Sequence, residues 1–154
     1  MTLATHIITG TVIGTKLNNP FAIAAVAIFF HFLLDSLPHG DYVNEKSTLR
    51  DWWKEATSLS IGLSIAFFSI AVHGIPEWPI LKNIVIAIFF SLLPDATHFM
   101  YRFMKMNFLR PIKEFHEGLH YYPNGSPQRK FRLKNEYWEI GIALISVLIL
   151  LFMR

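Results

Sequence analysis

Residues 30–42, Phe-His-Phe-Leu-Leu-Asp-Ser-Leu-Pro-His-Gly-Asp-Tyr, set four ionisable side chains at the end of an apolar run, Phe21 to Phe30, that reads as a membrane helix. His31 and Asp35 are four apart, so a helix directs both to one face. Ionisable groups at that depth in hydrocarbon cost several kcal/mol unless they are paired, hydrated or bound to a cation. Neutral imidazole with carboxylate is a ligand set that zinc and similar divalent metals accept. The stretch points to a metal site at a membrane boundary.

The remaining chain is read around that stretch. A length of 154 residues suits one domain, 1–154. The absence of cysteine removes disulfides and thiolate ligands. With 53% hydrophobic and 16% charged residues the chain is too apolar for an ordinary small soluble domain. Lys16, the first basic residue, comes too late for the charged start of a secretory signal peptide. Apolar segments fall at 2–17, 21–37, 56–75, 81–101 and 137–153, separated by Asn18-Asn19-Pro20, a polar stretch at 42–55, the Gly74 to Pro79 turn and a basic, aromatic loop at 102–136. Segment 2–17 is barely long enough to cross roughly 30 Å of hydrocarbon and suits a thin or re-entrant helix. The expected fold is an all-α, multi-pass integral membrane protein of about five helices.

Alternating loops give that fold two sides. One side holds Lys46, Arg50, Lys54, Arg102, Lys105, Arg110, Lys113, Arg129, Lys130, Arg132 and Lys134, and the other only Lys16, Lys82 and Arg154. The asymmetry predicts that the first side is cytoplasmic and makes anionic lipid rather than nucleic acid the natural partner. His6, His31, His39, His98, His116 and His120 all map to that side, with Asp35, Asp41 and Asp95 among them. Only His73 maps to the other end, as an interfacial residue without chemistry.

Each group also has a plainer reading. His31 with Asp35 suits a packing hydrogen bond, Asp95 with His98 suits turn chemistry after Pro94, and His6 suits a helix cap. His39 and Asp41 suit a solvated turn after Pro38. His116 and His120 have the i, i+4 spacing of helical metal ligands, but Gly118 between them weakens a helix. Their convergence favours His6, His31, Asp35, His39, Asp95 and His98 as metal ligands. Asp41, His116, Glu117 and His120 are then the candidates for orienting water, for acid–base work or for completing a second metal. Arg102, Arg110 and Lys113 are the candidates for holding phosphate oxygens. Residues 27–42 and 87–101 both run from Ala-Ile-Phe-Phe into Leu-Pro with His and Asp, an echo that leaves duplication and coincidence open.

Thr5-His6 with Gly10, then His31 to Asp35, then Leu37-Pro38-His39-Gly40-Asp41, then Leu93-Pro94-Asp95 with His98, resembles the bacterial inner-membrane proteins of the YdjM type. That resemblance covers most of the chain up to about His98 and implies a membrane-bound, metal-dependent hydrolase. His31, Asp35 and His39 alone also resemble the zinc-dependent phospholipase C and single-strand nuclease group, an all-helical group with several zinc ions that acts on phosphodiesters; this chain is far shorter. The expected function is hydrolysis of a phosphoester, lipid-linked because of the bilayer edge, with one or more divalent ions, zinc first. A metal-ion or proton transporter and a non-catalytic membrane adaptor are the rival readings.

Overall fold

The structure, a computed structural model, describes residues 1–43, 47–123, 125–132 and 136–152; Lys46, Lys134 and Arg154 of the charge asymmetry lie outside the described residues. Among the described residues six α-helices make up the fold: α1 (Leu3–Lys16), α2 (Pro20–Asp35), α3 (Trp53–Ala71), α4 (Trp78–Phe103), α5 (Arg110–Leu119) and α6 (Tyr137–Phe152). No strand occurs among the described residues. An isolated parallel bridge joins Asp41 to Lys130.

The threonine-rich first segment turns out to be the centre of the bundle. α1 packs against α2, α3, α4 and α6, and residues Thr5 to Thr11 are all buried. Its small residues allow this. A Cβ at Gly14 would lie 2.4 Å from the Ile84 Cα on α4, and one at Gly62 on α3 would lie 2.7 Å from the Ala4 Cα. The backbones therefore touch, which is how small residues join helices that are apolar all round. Ile13, Ile23, Ala27 and Ala87 fill the space among α1, α2 and α4.

Successive long helices run in opposite directions, as the alternating loops require. The start of α1 meets the end of α2, where the Met1 amine reaches Asp35, and the start of α6, where Thr5 donates to Glu139. At the opposite end Asn83 donates to the Leu17 carbonyl and His73 to the Leu151 carbonyl. α2 opens with Pro20 and an Asn19 side chain that accepts from the Phe21 and Ala22 amides. It stops at Asp35, so His39 and Asp41 are carried on a turn.

Three expectations need correcting. The 102–136 stretch contains a helix, α5, which Pro111 starts at its first turn and which is apolar on one side. The echo does not give equivalent helix ends, because α2 stops while α4 continues through Pro94 to Phe103. Among the described residues only α4, with 26 residues and a mean hydropathy of 1.6, is long and apolar enough to cross a membrane. α2 and α6 have 16 residues each, short of the roughly 20 that a spanning helix needs.

The close approach of α1 to α4 gives a direct test. Gly14→Ala must push backbone against backbone and is expected to cost about 2 kcal/mol, a fall of roughly 4–8 °C in Tm. Gly141→Ala on α6, where an added Cβ meets nothing within 4 Å, is expected to be neutral or slightly stabilising. Thermal unfolding of the two variants decides; equal losses would contradict this packing.

Candidate metal centre

The end of α2 brings Asp35 into the middle of the bundle with 1% exposure. Around it stand His6 from α1, His31 from its own helix, and His116 and His120 from α5 and its C-terminus. His6 Nε2 lies 3.2 Å from Asp35 Oδ1, and His116 Nε2 lies 2.8 Å from Asp35 Oδ2. The Met1 amine also donates to Oδ1. A carboxylate so enclosed is stable only with compensating positive charge or several donors.

Tautomers show what the inner imidazoles offer. His31 Nδ1 lies 2.7 Å from the Ser91 carbonyl, an acceptor, so this nitrogen carries the proton and donates. In a neutral ring His31 Nε2 then holds only a lone pair. That lone pair faces His116 Nε2 and Asp35 Oδ2, each 3.2 Å away. Electron pairs converging at this distance repel unless a proton or a metal ion sits among them. Asp95 Oδ1 completes the ring, 4.0 Å from His31 Nε2 and 3.9 Å from His116 Nε2.

These four donors lie within 4.8 Å of one another. Ligands held roughly 2.0–2.1 Å from a tetrahedral zinc ion stand roughly 3.3 Å apart, and the separations that involve the two imidazoles, 2.8 to 4.0 Å, bracket that figure. Two imidazoles and two carboxylates therefore fit a divalent ion by chemistry and by spacing. Pro94 helps to place Asp95 here. It cannot donate to the Phe90 carbonyl, which loosens α4 beside the Ser91 carbonyl that orients His31.

A second group adjoins the first through Asp35. His39, Asp41 and His120 also lie within 4.8 Å of one another. His39 Nδ1 donates to the Leu37 carbonyl at 2.7 Å, which leaves its buried Nε2 without a hydrogen-bond partner, 3.3 Å from Asp41 Oδ1 and 3.9 Å from Asp35 Oδ1. His120 Nε2 is 3.8 Å from Asp35 Oδ2. Burial holds the His120 ring neutral, its pKa lowered to about 2, and neutral imidazole is the form that ligates. Burial pushes the Asp41 carboxyl up, but the adjoining His39 ring and nearby positive charge, Arg129 included, outweigh it and hold Asp41 well below the usual range.

The structure sorts the expected residues as follows. His31, Asp35 and Asp95 meet as anticipated, and His116, expected to work on protons, joins them as a fourth donor. His39 stands in the second group with Asp41 and His120. His6 and His98 stand outside both groups. His6 stacks on His31 with ring centroids 4.2 Å apart and touches only the outer oxygen of Asp35, while His98 faces Glu117 at 3.8 Å. Glu117 is no free base, because Arg129 Nη1 donates to it at 2.7 Å. Arg110 is exposed and pairs with Glu114, away from the site. Arg129 itself was read as topology alone, yet it also donates to Asp41 at 2.5 Å.

A cavity of about 510 Å³ opens over both groups. Asp35, Asp41, Asp95 and His120 lie in its wall, Arg102 and Lys113 stand beside them, and Trp52 and Phe99 add apolar surface. Arg102 also donates to the Ser47 carbonyl and lies over the Phe103 ring. Compared with known proteins, the chain matches no family model, no curated protein and no solved structure.

Zinc content separates the inner donors from their neighbours. Purified protein is expected to hold zinc, and His31→Ala or His116→Ala to hold less than about a tenth as much of the ion at the four-donor group. His98→Ala is expected to leave the content unchanged, and His6→Ala to weaken affinity by roughly 10–100-fold, as loss of an outer hydrogen-bond partner does. Elemental analysis after dialysis checks this. Full retention by the His31 and His116 variants would remove the four-donor assignment.

Proposed function

We propose that this protein is a metal-dependent hydrolase of phosphoesters that works at a membrane surface with two divalent ions, zinc first. The observation that carries the reading is the adjacency of two His/Asp groups, of which Asp35, Asp41, Asp95 and His120 line one cavity that also presents Arg102 and Lys113. His31, Asp35, Asp95 and His116 would hold one ion, and His39, Asp41 and His120 the other. Ions held there would lower the pKa of a bound water towards about 7 and would polarise a phosphoryl oxygen.

The protein's own groups do the rest. Lys113 and Arg102 stand where a phosphoryl group facing the carboxylates would bring its negative oxygens, so they bind and orient it. Arg129 donates to both Asp41 and Glu117, so these two carboxylates serve as hydrogen-bond acceptors. Glu55, also in the cavity wall and on neither ligand group, is left as the carboxyl able to carry a proton to the leaving oxygen. Ser91 and Leu37 fix the tautomers of His31 and His39.

The membrane part of the proposal rests on the surface. α4 is apolar enough to cross a bilayer. The outer faces of α2, α3 and α6 are also apolar, with Phe21, Phe67, Phe68, Leu144 and Phe152 exposed. Such faces suit lipid better than water. The basic residues Lys54, Arg102, Lys105, Lys113, Arg129 and Lys130 lie at the end of the bundle that holds the site, so we place that end at anionic headgroups on the cytoplasmic side. The substrate then has a phosphate head and an apolar chain, in keeping with the resemblance to YdjM-type hydrolases.

Zinc-loaded protein in detergent is expected to hydrolyse a long-chain phosphatidate in mixed micelles at least about tenfold better in kcat/KM than p-nitrophenyl phosphate. Asp95→Ala should lower kcat by roughly 100-fold or more, on the scale of losing one electrostatic stabiliser of the transition state. Lys113→Ala should act chiefly on KM. Product assays against a chelated control decide. No zinc-dependent hydrolysis of either ester, or full activity in Asp95→Ala, would refute the enzyme reading.

A further inference from the structure

We infer that Glu136 is the positioning residue for the His39–Gly40–Asp41 turn, acting through the Gly40 amide and braced by Glu139. The inference rests on the second ligand group of the proposed hydrolase. It starts from a carboxyl group in an unexpected place. Glu136 is 2% exposed and Glu139 is 7% exposed, at the start of the apolar helix α6. Neither touches a ligand side chain, and neither has a role in the chemistry above.

Their partners explain them. Glu136 Oε1 accepts the Gly40 N–H at 3.0 Å. That amide lies between His39 and Asp41, two of the three donors of the second group. No side chain fits at Gly40, where a Cβ would stand 2.5 Å from Glu136 Oε1 and 2.6 Å from the Phe131 Cα. On the far side of the same turn, the Asp41 amide donates to the Arg129 carbonyl at 2.7 Å and the Phe131 amide to the Asp41 carbonyl at 3.2 Å. α2 has already ended at Asp35, so these bonds replace a helix as the means of aiming His39 Nε2 and Asp41 into the site.

Glu139 anchors the device to α1. Its Oε1 accepts from the Thr2 amide at 3.2 Å, from the Thr5 hydroxyl at 2.9 Å and from the Thr2 hydroxyl. Thr2 and Thr5 flank the stretch of α1 that brings Met1 and His6 to Asp35. The two glutamates face each other, and the Oε2 of each is buried without a donor. A single proton between them satisfies both oxygens. Burial, and then the neighbouring Glu139 carboxylate, raise Glu136 to about 7, which makes Glu136 the proton's holder. The same pair thus links the turn, α6 and the start of α1.

The test compares Glu136→Gln with Glu136→Ala in full-length protein, using Zn²⁺ alone as the probe. A glutamine keeps an acceptor for the Gly40 amide and supplies an N–H in place of the shared proton. Wild type and Glu136→Gln are expected to bind two zinc ions, and Glu136→Ala one, with the ion of the Asp35 and Asp95 group retained. Hydrogen exchange of the peptide 37–43 in zinc-free protein gives a second reading that needs no metal. It should speed up at least about tenfold in Glu136→Ala and stay slow in Glu136→Gln. Wild type binding fewer than two ions would count against the second ligand group, and the exchange result alone would then decide the role of Glu136. Unchanged exchange and zinc content in Glu136→Ala, or equal damage in both variants, would overturn the inference.

Discussion

A carboxylate at the end of α2, sealed from water and ringed by imidazoles, sets the terms for the rest of this fold. Asp35 is 1% exposed, and its two oxygens receive His6, His116 and the Met1 amine directly. The cost of burying such a charge is offset only where compensating groups arrive from several elements at once. Helices α1, α2 and α5 are drawn to one point for that reason. The glycines of α1 and α3 then let the backbones come close enough for the arrangement to close.

From this point the functional geometry follows by extension. His31 lies one turn before Asp35 and is oriented by the Ser91 carbonyl of α4, whose next turn carries Asp95. His116 lies on α5 and His120 just past its end, and each stands in a different donor group. The two groups share Asp35 as neighbour, and Arg129 donates to the outer carboxylates Asp41 and Glu117. A cavity lined by carboxylates and cations together suits the proposed anionic ester better than passage of an ion, because both His/Asp groups gather at one end of the bundle.

How much of this was legible in the sequence depends on the range of the signal. The His31/Asp35 pair stood out because spacing along a helix is local, and the long apolar segments gave the helices their approximate limits. Asp95 was found because it interrupts an apolar run. That His116 rather than His98 stands beside Asp35 was not legible, since it depends on α5, whose Gly118 and basic flanks concealed a helix that gains its stability from docking. Tertiary contact also decides the tasks of Arg129 and Glu136, and residue type alone showed only a basic loop and the start of an apolar segment. The multi-pass expectation drew on hydropathy; among the described residues α2 and α6 have 16 residues each, and only α4 is long and apolar enough to cross a membrane.

X-ray anomalous scattering at the zinc edge, from crystals grown with zinc, tests the central claim most directly. The account predicts a strong peak enclosed by His31 Nε2, His116 Nε2, Asp35 and Asp95, at about 2.0–2.1 Å from each nitrogen. Well-ordered crystals with these side chains clear in density and no anomalous peak among them would contradict it.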